Sequence, residues 1–349
     1  MGSESLDEFS LIRLLTGGKQ SPAFQRAAGV LTGIGDDAAV VEVPGGSHLI
    51  LTCDTMTEST HFTPVTMRDR DIGYKAMASA VSDIAAMGGT PRFALISLTL
   101  PRTLPAARME ALYEGLYACA SEYGVAVAGG DTTSSPGGLT VSVTVIGETE
   151  AGRSLLRSAA MPGDAVFVTG ELGNSAAGLE WLLHQNLPAG RWEDEWAGAG
   201  PEVRPLVQAH CRPQPRIRAG ELLRRSSLCH ALNDVSDGLA SEAWEIAEAS
   251  GVGIDLIEER IPLSAALYRQ AAVQGKEPVD YALYGGEDYE LLGTVPAEHA
   301  LELQSMFKEA GMPLSLIGYV TADPGAVRLL RTGGDFTPLD KKGYNHFAG

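Results

Sequence analysis

Acidic residues with glycine, serine or threonine beside them recur along this 349-residue chain, mostly at turns or where an apolar run ends. A carboxylate with small neighbours can approach a ligand without obstruction, but several converging carboxylates repel one another unless cations lie between them. Such a chain is expected to bring its strand ends together around cations. The six sites are Gly35–Asp37, Cys53–Thr55, Ser82–Asp83, Gly129–Thr133, Asp234–Gly238 and Gly285–Asp288.

Segments with strand and helix periodicity alternate in the first half of the chain. Leu49–Asp54 and Gly124–Asp131 are predicted as strands that end in an acid, and Leu139–Ile146 has the period of two of a half-buried strand. Apolar residues at helical spacing predict one helix over 72–87 and a second over Leu104–Tyr123. This alternation indicates the α/β class.

The second half repeats the alternation after a turn at Ser158–Asp164. Ala165–Gly170 is predicted as a strand, and a later helix covers Leu239–Ser250. Because domains of about 100–200 residues are usual, the length of the chain fits two of them. We therefore expect an α/β (α+β) chain with one domain over 1–155 and a second over 156–349.

Charge and cysteine content exclude several classes of protein. The chain has 26 basic and 44 acidic side chains and a net charge of −18, so no basic surface for nucleic acid is expected. No window approaches the about 20 uninterrupted apolar residues that span a bilayer. The acidic start differs from a signal peptide, so a cytoplasmic protein is expected. Four widely spaced cysteines without a C-x-x-C pair argue against zinc and redox motifs.

Two nucleotide-binding motifs are matched only superficially. Gly33–Ala38 fits G-x-G-x-x-[GA], but two carboxylates stand where pyrophosphate would bind, and the strand-like run Ala39–Val43 follows in place of a helix. Lys19 resembles the lysine of a P-loop, but Gln20 follows it and Arg13 stands in place of the first glycine. Phosphates would therefore be held through metal ions and other backbone amides.

Carboxylate oxygens are hard ligands, typical of Mg²⁺ sites and not of zinc or copper sites. Mg²⁺ takes few protein carboxylates per ion and leaves its other positions to water or phosphate. Five or more such acids therefore imply several ions bound together with a polyphosphate. Each acid taken alone fits a solvated turn or a helix cap better, and it is their repetition that favours a metal site.

A series of short motifs runs in order along nearly the whole chain. It comprises Gly33–Ala38, Asp54–Thr55, His61–Phe62, Tyr74–Met77, Ser82–Gly88, Gly129–Thr133, Arg212–Arg216, Asp234–Leu239, Gly285–Glu290 and Lys342–Phe347. Single motifs are weak evidence, but the ordered set resembles the thiamine-monophosphate kinase family, of the aminoimidazole ribonucleotide synthetase-like superfamily.

The resemblance implies phosphorylation of thiamine monophosphate to thiamine diphosphate, with ATP as co-substrate and several Mg²⁺ ions. It also implies a two-domain fold in which the N-terminal sheet forms the interface of a homodimer and the C-terminal α/β domain closes the active site. The acceptor phosphate is expected to attack the γ-phosphoryl group in line. Since the second pKa of such a phosphate is about 6, no dedicated base is expected.

The resemblance implies roles for the residues at matching positions. The implied Mg²⁺ ligands are Asp37, Thr52, Cys53, Asp54, Asp83, Asp131, Asp234 and Asp237. The implied ATP contacts are Tyr113, Gly130, Asp131, Arg157 and Ser236, and the implied acceptor contacts are His61, Glu287 and Tyr344. The family commonly has a hydroxyl residue at position 53. Because a neutral thiol is a poor Mg²⁺ ligand, coordination at Cys53 is expected through its backbone carbonyl.

Two alternative functions are compatible with the same residues. Another ATP-using enzyme of the superfamily, such as aminoimidazole ribonucleotide synthetase or selenophosphate synthetase, would share the metal and nucleotide sites and take a different acceptor. The chain lacks an N-terminal catalytic cysteine and a cysteine-bearing tail, which favours the thiamine interpretation. A non-catalytic acidic protein would bind cations without nucleotide, so ATP with Mg²⁺ would not stabilise it beyond Mg²⁺ alone.

Overall fold

Two β-sheets organise the computed structural model, which describes residues 22–27, 30–32, 36–42, 45–185 and 199–341. The first sheet contains β1 (Val30–Thr32), β2 (Ala39–Glu42), β3 (Ser47–Thr57), β4 (Thr90–Pro101), β5 (Ala126–Ser135) and β6 (Thr140–Glu150). Its order is β1-β2-β3-β6-β4-β5, and neighbours are antiparallel except for the parallel pair β4 and β5. The helices of this half are α1 (Pro22–Ala27), α2 (Asp69–Ala86) and α3 (Ala106–Glu122).

One face of this sheet is buried beneath α2. Residues of β6 alternate between buried and more accessible positions, and Val141, Val143 and Val145 belong to the core on the helix side. A strand with one core-facing side requires this period of two. Helix α2 has 15 of its 18 residues buried, because α3 and the second half of the chain cover the sides that the sheet leaves.

The opposite face of the sheet is not covered by any of the described residues. Phe93 and Leu95 of β4 are 50% and 43% exposed there, and Cys53 and Thr55 of β3 lie exposed on the same face. Half-exposed aromatic and aliphatic side chains on a broad sheet mark a surface suited to contact with another protein. This surface is called the open face below.

Helices α2 and α3 cross at two glycines. A Cβ atom on Gly73 would lie 1.9 Å from the carbonyl oxygen of Leu112, and one on Gly115 would lie 1.8 Å from that of Arg70. Only a residue without a Cβ atom permits this approach of two backbones. The crossing fixes α3 against the helix that carries much of the candidate site.

Gly115→Ala is expected to destabilise the chain by about 2–3 kcal/mol, because the added methyl group must displace the backbone of α2. Urea unfolding followed by circular dichroism measures the change. Gly333→Ala is the matched control, since nothing lies within 4 Å of its Cβ position. Its stability should change by less than about 1 kcal/mol. Equal effects of the two substitutions would contradict the tight crossing.

The second half forms a seven-stranded sheet. Its strands are β7 (Ala165–Thr169), β8 (Leu232–Asp234), β9 (Gly253–Ile257), β10 (Leu291–Val295), β11 (Leu314–Thr321), β12 (Val327–Leu330) and β13 (Phe336–Pro338), in the order β13-β12-β9-β11-β7-β10-β8. Its helices are α4 (Asn174–His184), α5 (Arg204–Cys211), α6 (Ile217–Ser226), α7 (Leu239–Ser250), α8 (Ala265–Gln274), α9 (Pro278–Tyr284) and α10 (Ala300–Glu309). Short 3-10 turns occupy Arg157–Ala159, Glu258–Arg260 and Ala297–His299.

Both faces of the second sheet are covered by helices. Val166 and Val168 of β7 pack on the side of α7, whereas Phe167 between them packs on the side of α6 and α10. The second core also includes Ala85 and Ala86 from the end of α2. Helix α2 therefore joins the two halves, and its residues face the space between them.

The predicted helices are confirmed, and α7 has the predicted bounds, but two strand predictions are wrong at their ends. Strand β3 continues past Asp54 to Thr57, and β5 continues past Asp131 to Ser135. The residues that follow each acid are mainly threonine and serine. Threonine suits a strand, and both extensions pair in register with a neighbouring strand.

The division into domains 1–155 and 156–349 stays a prediction. None of the described helices is long and apolar enough to cross a membrane.

Candidate active site

A cavity of about 310 Å³ lies between the two halves of the chain. Its acidic wall combines Asp54 from β3, Asp83 from α2 and Asp234 from the end of β8. His61 and Glu287, from two connecting segments, line the same cavity. Residues that are up to 233 positions apart in sequence, from Asp54 to Glu287, therefore share one small volume.

Three carboxylates converge beside this cavity, and two of them, Asp83 and Asp234, line it. Asp37, Asp83 and Asp234 each offer an oxygen that lies within 4.8 Å of the others. Asp54 is the fourth member, because its charge raises the pKa of both Asp83 and Asp234. These four residues are called the aspartate cluster below.

Hydroxyl groups orient two members of the aspartate cluster. Thr52 donates to Asp83, and Ser82 donates to Asp234 at 2.5 Å. Each hydroxyl comes from β3 or α2, the two elements that pack face to face beneath the cavity. Thr52, predicted as a metal ligand, is buried, and its hydroxyl donates a hydrogen bond to Asp83. In this structure it therefore orients a carboxylate of the cluster.

Burial raises the pKa of all four carboxyls in the aspartate cluster. For Asp83, the neighbours Asp54, Asp234 and Asp37 add to the effect of burial, and for Asp234 the charge of Asp37 does so. Removing these protons creates negative charges that the protein alone compensates poorly. The cluster is therefore arranged for cations.

Arg157 is the basic group that the structure places against the cluster. Its guanidinium pairs with Asp37 and, at 2.8 Å, with Glu245, and its Nε donates to Asn233 at 3.0 Å. The Arg157 charge opposes the rise in the pKa of Asp37. Arg157 was predicted as an ATP contact, and in this structure its donors are directed at protein acceptors.

Glu242 holds the segment after Asp234 in place, and the sequence analysis missed it. Its Oε1 accepts from the backbone N–H of Asp237 at 2.9 Å and from Ser236 Oγ at 3.3 Å. Its Oε2 accepts from Asn233 at 2.6 Å. An acid in the first turn of a helix is a typical partner for the amides before it, so its position in α7 was the available signal.

The predicted acceptor contacts have defined orientations. His61 Nδ1 accepts from the backbone N–H of Thr57 at 3.0 Å, which directs the rest of the ring toward the cavity side. Glu287 has a left-handed backbone, with a φ of 69°, and its N–H donates to the Ser236 carbonyl at 2.6 Å. Tyr344 lies outside the described residues.

Three predicted residues lie together in a different place. Tyr113, Gly130 and Asp131 line a cavity of about 420 Å³ at the β5 edge of the first sheet. Asp131 lies opposite Ser97 of β4, Ser97 lies opposite Ser142 of β6, and Ser142 lies opposite Thr55 of β3. Three strand spacings, about 14 Å, therefore separate Asp131 from β3. Within one chain, Asp131 is thus apart from the aspartate cluster.

The sheet register also decides which way two predicted ligands point. Cys53 is exposed on the open face, as is Asp131, whereas Asp54 points to the helix side. The structure thus gathers the four clustered aspartates with Asp237, Ser236, His61 and Glu287, and it places the side chains of Cys53, Tyr113 and Asp131 elsewhere.

Comparison with known proteins identifies the family. The family models for the AIR synthase related protein match its N-terminal domain to residues 35–149 and its C-terminal domain to residues 161–330. The thiamine-monophosphate kinase of Bacillus subtilis (strain 168) is 43% identical over 342 residues, which cover 98% of this chain and 100% of the relative. The chain belongs to the thiamine-monophosphate kinase family. The predicted family, α/β fold and enzyme class, a kinase, are confirmed.

Further members of the family agree along nearly the full length. The thiamine-monophosphate kinase of Escherichia coli (strain K12) is 38% identical over 90% of this chain and 92% of the relative. The solved structure of AaThiL complexed with AMPPCP and TMP is 35% identical, has a TM-score of 0.82 and covers 99% of both chains. The two halves are therefore arranged as in that family member.

Proposed function

We propose that this chain transfers the γ-phosphoryl group of ATP to thiamine monophosphate, giving thiamine diphosphate. The observation that carries the proposal is the aspartate cluster, three of whose members share one cavity with His61 and Glu287. Curated relatives that cover the whole chain are thiamine-monophosphate kinases, and the similar AaThiL was solved with AMPPCP and TMP. Three aspartates of the proposed metal site and the proposed acceptor groups thus line one cavity.

The donor set of the aspartate cluster fits Mg²⁺. It offers hard carboxylate oxygens within 4.8 Å of one another, at a spacing suited to shared ions. Among the described residues, Arg157 is the basic group that pairs with Asp37. This pairing leaves most of the negative charge of the aspartate cluster uncompensated. We propose Asp37, Asp54, Asp83 and Asp234 as ligands, with Asp237 beside them and the backbone carbonyl of Cys53 as a further candidate.

The chain's own residues would position and orient the reactants. Bound Mg²⁺ would neutralise charge on the phosphates of both substrates. Thr52 and Ser82 fix the carboxylates of Asp83 and Asp234 before substrate arrives, so little reorganisation is needed during transfer. His61 and Glu287 would hold the acceptor so that its phosphate oxygen lies in line with the γ-phosphoryl group. An acceptor phosphate already ionised near neutral pH needs no base.

We propose that two chains associate through the open face. That face exposes Phe93 and Leu95. Thr55, on the same face, also lines the cavity that contains His61 and Glu287. A second chain seated there would therefore approach the rim of that cavity. The edge cavity of Tyr113, Gly130 and Asp131 would then serve ATP bound next to the partner's aspartate cluster, with Asp131 as a metal ligand. A cytoplasmic location stays a prediction.

Mg²⁺ is expected to raise the thermal unfolding temperature, and by more at about pH 8 than at about pH 6. Burial raises the pKa of Asp83 and Asp234, so the metal-free fold favours protonated carboxyls and loses stability as pH rises. Mg²⁺ binds the ionised carboxylates, which reverses that loss and releases protons. Differential scanning fluorimetry at the two pH values measures the shift.

Sodium chloride at the same ionic strength is the control for the Mg²⁺ experiment, because screening alone acts on all surface charges. It should give a much smaller shift than Mg²⁺. A Mg²⁺ shift that is equal at the two pH values, or larger at the lower one, would contradict the assignment of the cluster as a cation site.

A turnover assay tests the proposed function directly. The chain is incubated with ATP, Mg²⁺ and thiamine monophosphate, and the products are identified by mass spectrometry, with the substrate of aminoimidazole ribonucleotide synthetase in a parallel reaction. We expect thiamine diphosphate and one ADP per turnover. Intact thiamine monophosphate beside demonstrable ATP binding would reject this acceptor. Product from the parallel substrate would favour the other superfamily activity.

A further inference from the structure

Lys75 is a charged residue in the interior of α2 that none of the assigned roles uses. Its side chain is 0% exposed, and its Nζ lies 2.5 Å from Oε2 of Glu287. A buried ammonium without a carboxylate partner is unfavourable, so the pairing with Glu287 stabilises the charged form of Lys75. Glu287 itself is 26% exposed and lines the active-site cavity. The ion pair thus connects the core of α2 to the cavity wall.

His210, on α5, contacts the same carboxylate oxygen. Its Nδ1 lies 3.5 Å from Glu287 Oε2, 3.5 Å from Lys75 Nζ and 3.2 Å from Ser175 Oγ. Burial, together with the Lys75 charge, holds the pKa of His210 well below its usual value, so the imidazole is neutral. Lys75 and Ser175 can both donate to Nδ1, which places the ring proton on Nε2.

The neutral imidazole leaves one positive and one negative charge at this place. Lys75 compensates the charge of Glu287, in contrast to the aspartate cluster, where negative charge is in excess. Oε2 of Glu287 accepts from Lys75, whose ammonium is held in turn by His210 Nδ1, whereas Oε1 has no hydrogen-bond partner among the residues that the structure describes. The free oxygen belongs to a residue of the cavity wall.

The backbone adds to this restraint on Glu287. Its φ of 69° is held by the N–H bond to the Ser236 carbonyl, and the following Asp288 accepts from the backbone N–H groups of Gly173 and Ser175 at the start of α4. Both the main chain and one side-chain oxygen of Glu287 are therefore fixed before any ligand binds.

We propose that Lys75 and His210 are positioning residues that hold Glu287 so that Oε1 alone faces the cavity, where it accepts a hydrogen bond from an N–H group of the acceptor. This inference rests on the proposed function. Because Lys75 already balances the carboxylate charge, Glu287 distinguishes acceptors by a hydrogen-bond donor and only weakly by a cationic ring. An acceptor without that donor leaves a partly buried oxygen unpaired, which is the stronger basis for discrimination.

A double-mutant cycle tests whether Lys75 acts through Glu287. Lys75→Met and Glu287→Gln are each expected to lower kcat/KM for thiamine monophosphate by about 30- to 100-fold, with KM for ATP within about twofold of wild type. The variant carrying both substitutions should be no worse than Glu287→Gln alone. It also leaves no uncompensated buried charge, so it is expected to fold even where Lys75→Met does not.

An acceptor analogue tests the hydrogen-bond donor. In the analogue, the pyrimidine amino group of thiamine monophosphate is replaced by hydrogen, and the cationic ring is kept. The wild type should prefer thiamine monophosphate over the analogue by about 100-fold, and Glu287→Gln should reduce this preference to less than about tenfold. Equal turnover of the two acceptors by the wild type would overturn the donor assignment.

Arg328→Met is the matched control for loss of an ion pair. Arg328 pairs with Asp255 between β12 and β9, away from the cavity, and its removal should change acceptor kcat/KM by less than about twofold. If Lys75→Met yields no folded protein, His210→Gln replaces it, with acceptor KM expected to rise about five- to tenfold and KM for ATP unchanged.

The outcomes separate this inference from the proposed function. A wild-type chain that does not phosphorylate thiamine monophosphate overturns both. A wild-type chain that does, with Lys75→Met equal to it in acceptor kinetics, overturns the positioning role alone. Additive losses in the cycle would also overturn it, because they would show that Lys75 acts independently of Glu287.

Discussion

Asp83→Asn is expected to lower kcat by at least about a thousandfold while leaving the metal-free fold at least as stable as the wild type. Asp83 lies at the centre of the site, where burial and the charges of Asp54, Asp234 and Asp37 all raise its pKa. The amide removes a proposed Mg²⁺ ligand and one negative charge. It retains the size of the side chain and an oxygen that accepts from Thr52.

The combination of lost activity and retained stability is what separates a metal ligand from a structural residue. Removing a repelling charge stabilises the metal-free fold, particularly at higher pH, where Asp83 would otherwise ionise. The same change is expected to remove the proposed stabilisation by Mg²⁺. Steady-state kinetics and thermal unfolding with and without Mg²⁺ measure the three quantities on one protein sample.

Asp164→Asn is the matched control. Asp164 is also buried, but it accepts from the Met161 backbone N–H at 2.9 Å and pairs with His230, outside the cavity. We expect a modest loss of stability, about 1 kcal/mol, and wild-type kcat. Activity of Asp83→Asn within tenfold of wild type, or failure of that variant to fold, would contradict the central place of Asp83 in the cluster.

The sequence identified the acids of the site because each stands in a short local pattern. The segment Asp234–Gly238, for example, leads from a short buried strand into α7 with the predicted bounds. Such local features follow from turn chemistry and periodicity. The convergence of Asp37, Asp83 and Asp234 depends on contacts between the two halves of the chain, and the resemblance to a family supplied what local patterns could not.

Asp54 and Asp131 show where sequence reasoning fails. Both follow apolar residues and precede a threonine, and both were predicted at strand ends. The paired strands place Asp54 in the buried row with Val143 and Ile96, and Asp131 in the adjacent exposed row with Ser97. A shift of one position reverses the face, and register across four strands is not encoded in any single segment. Lys75 left a weaker signal, a lone charge in an apolar helical stretch.

Asp131→Asn is likewise expected to abolish turnover and leave the fold intact, although Asp131 lies about 14 Å from β3 within its own chain. Its side chain is exposed on the open face, and the rim of the cavity that contains His61 and Glu287 reaches that face at Thr55. If the two copies meet there, one active site combines Asp131 of one chain with Asp83 of the other.

Mixed dimers decide between a shared site and a site within one chain. Asp131→Asn and Asp83→Asn chains are coexpressed with different tags, and the mixed dimer is purified through both. It should regain about half of the wild-type turnover, because one of its two sites receives both aspartates. A wild-type chain paired with a chain carrying both substitutions gives the opposite result. Each shared site then lacks one aspartate, so turnover is expected to be lost. If the site were confined to one chain, the first mixed dimer would be inactive and the second would keep half of the activity, so the two dimers together admit only one arrangement.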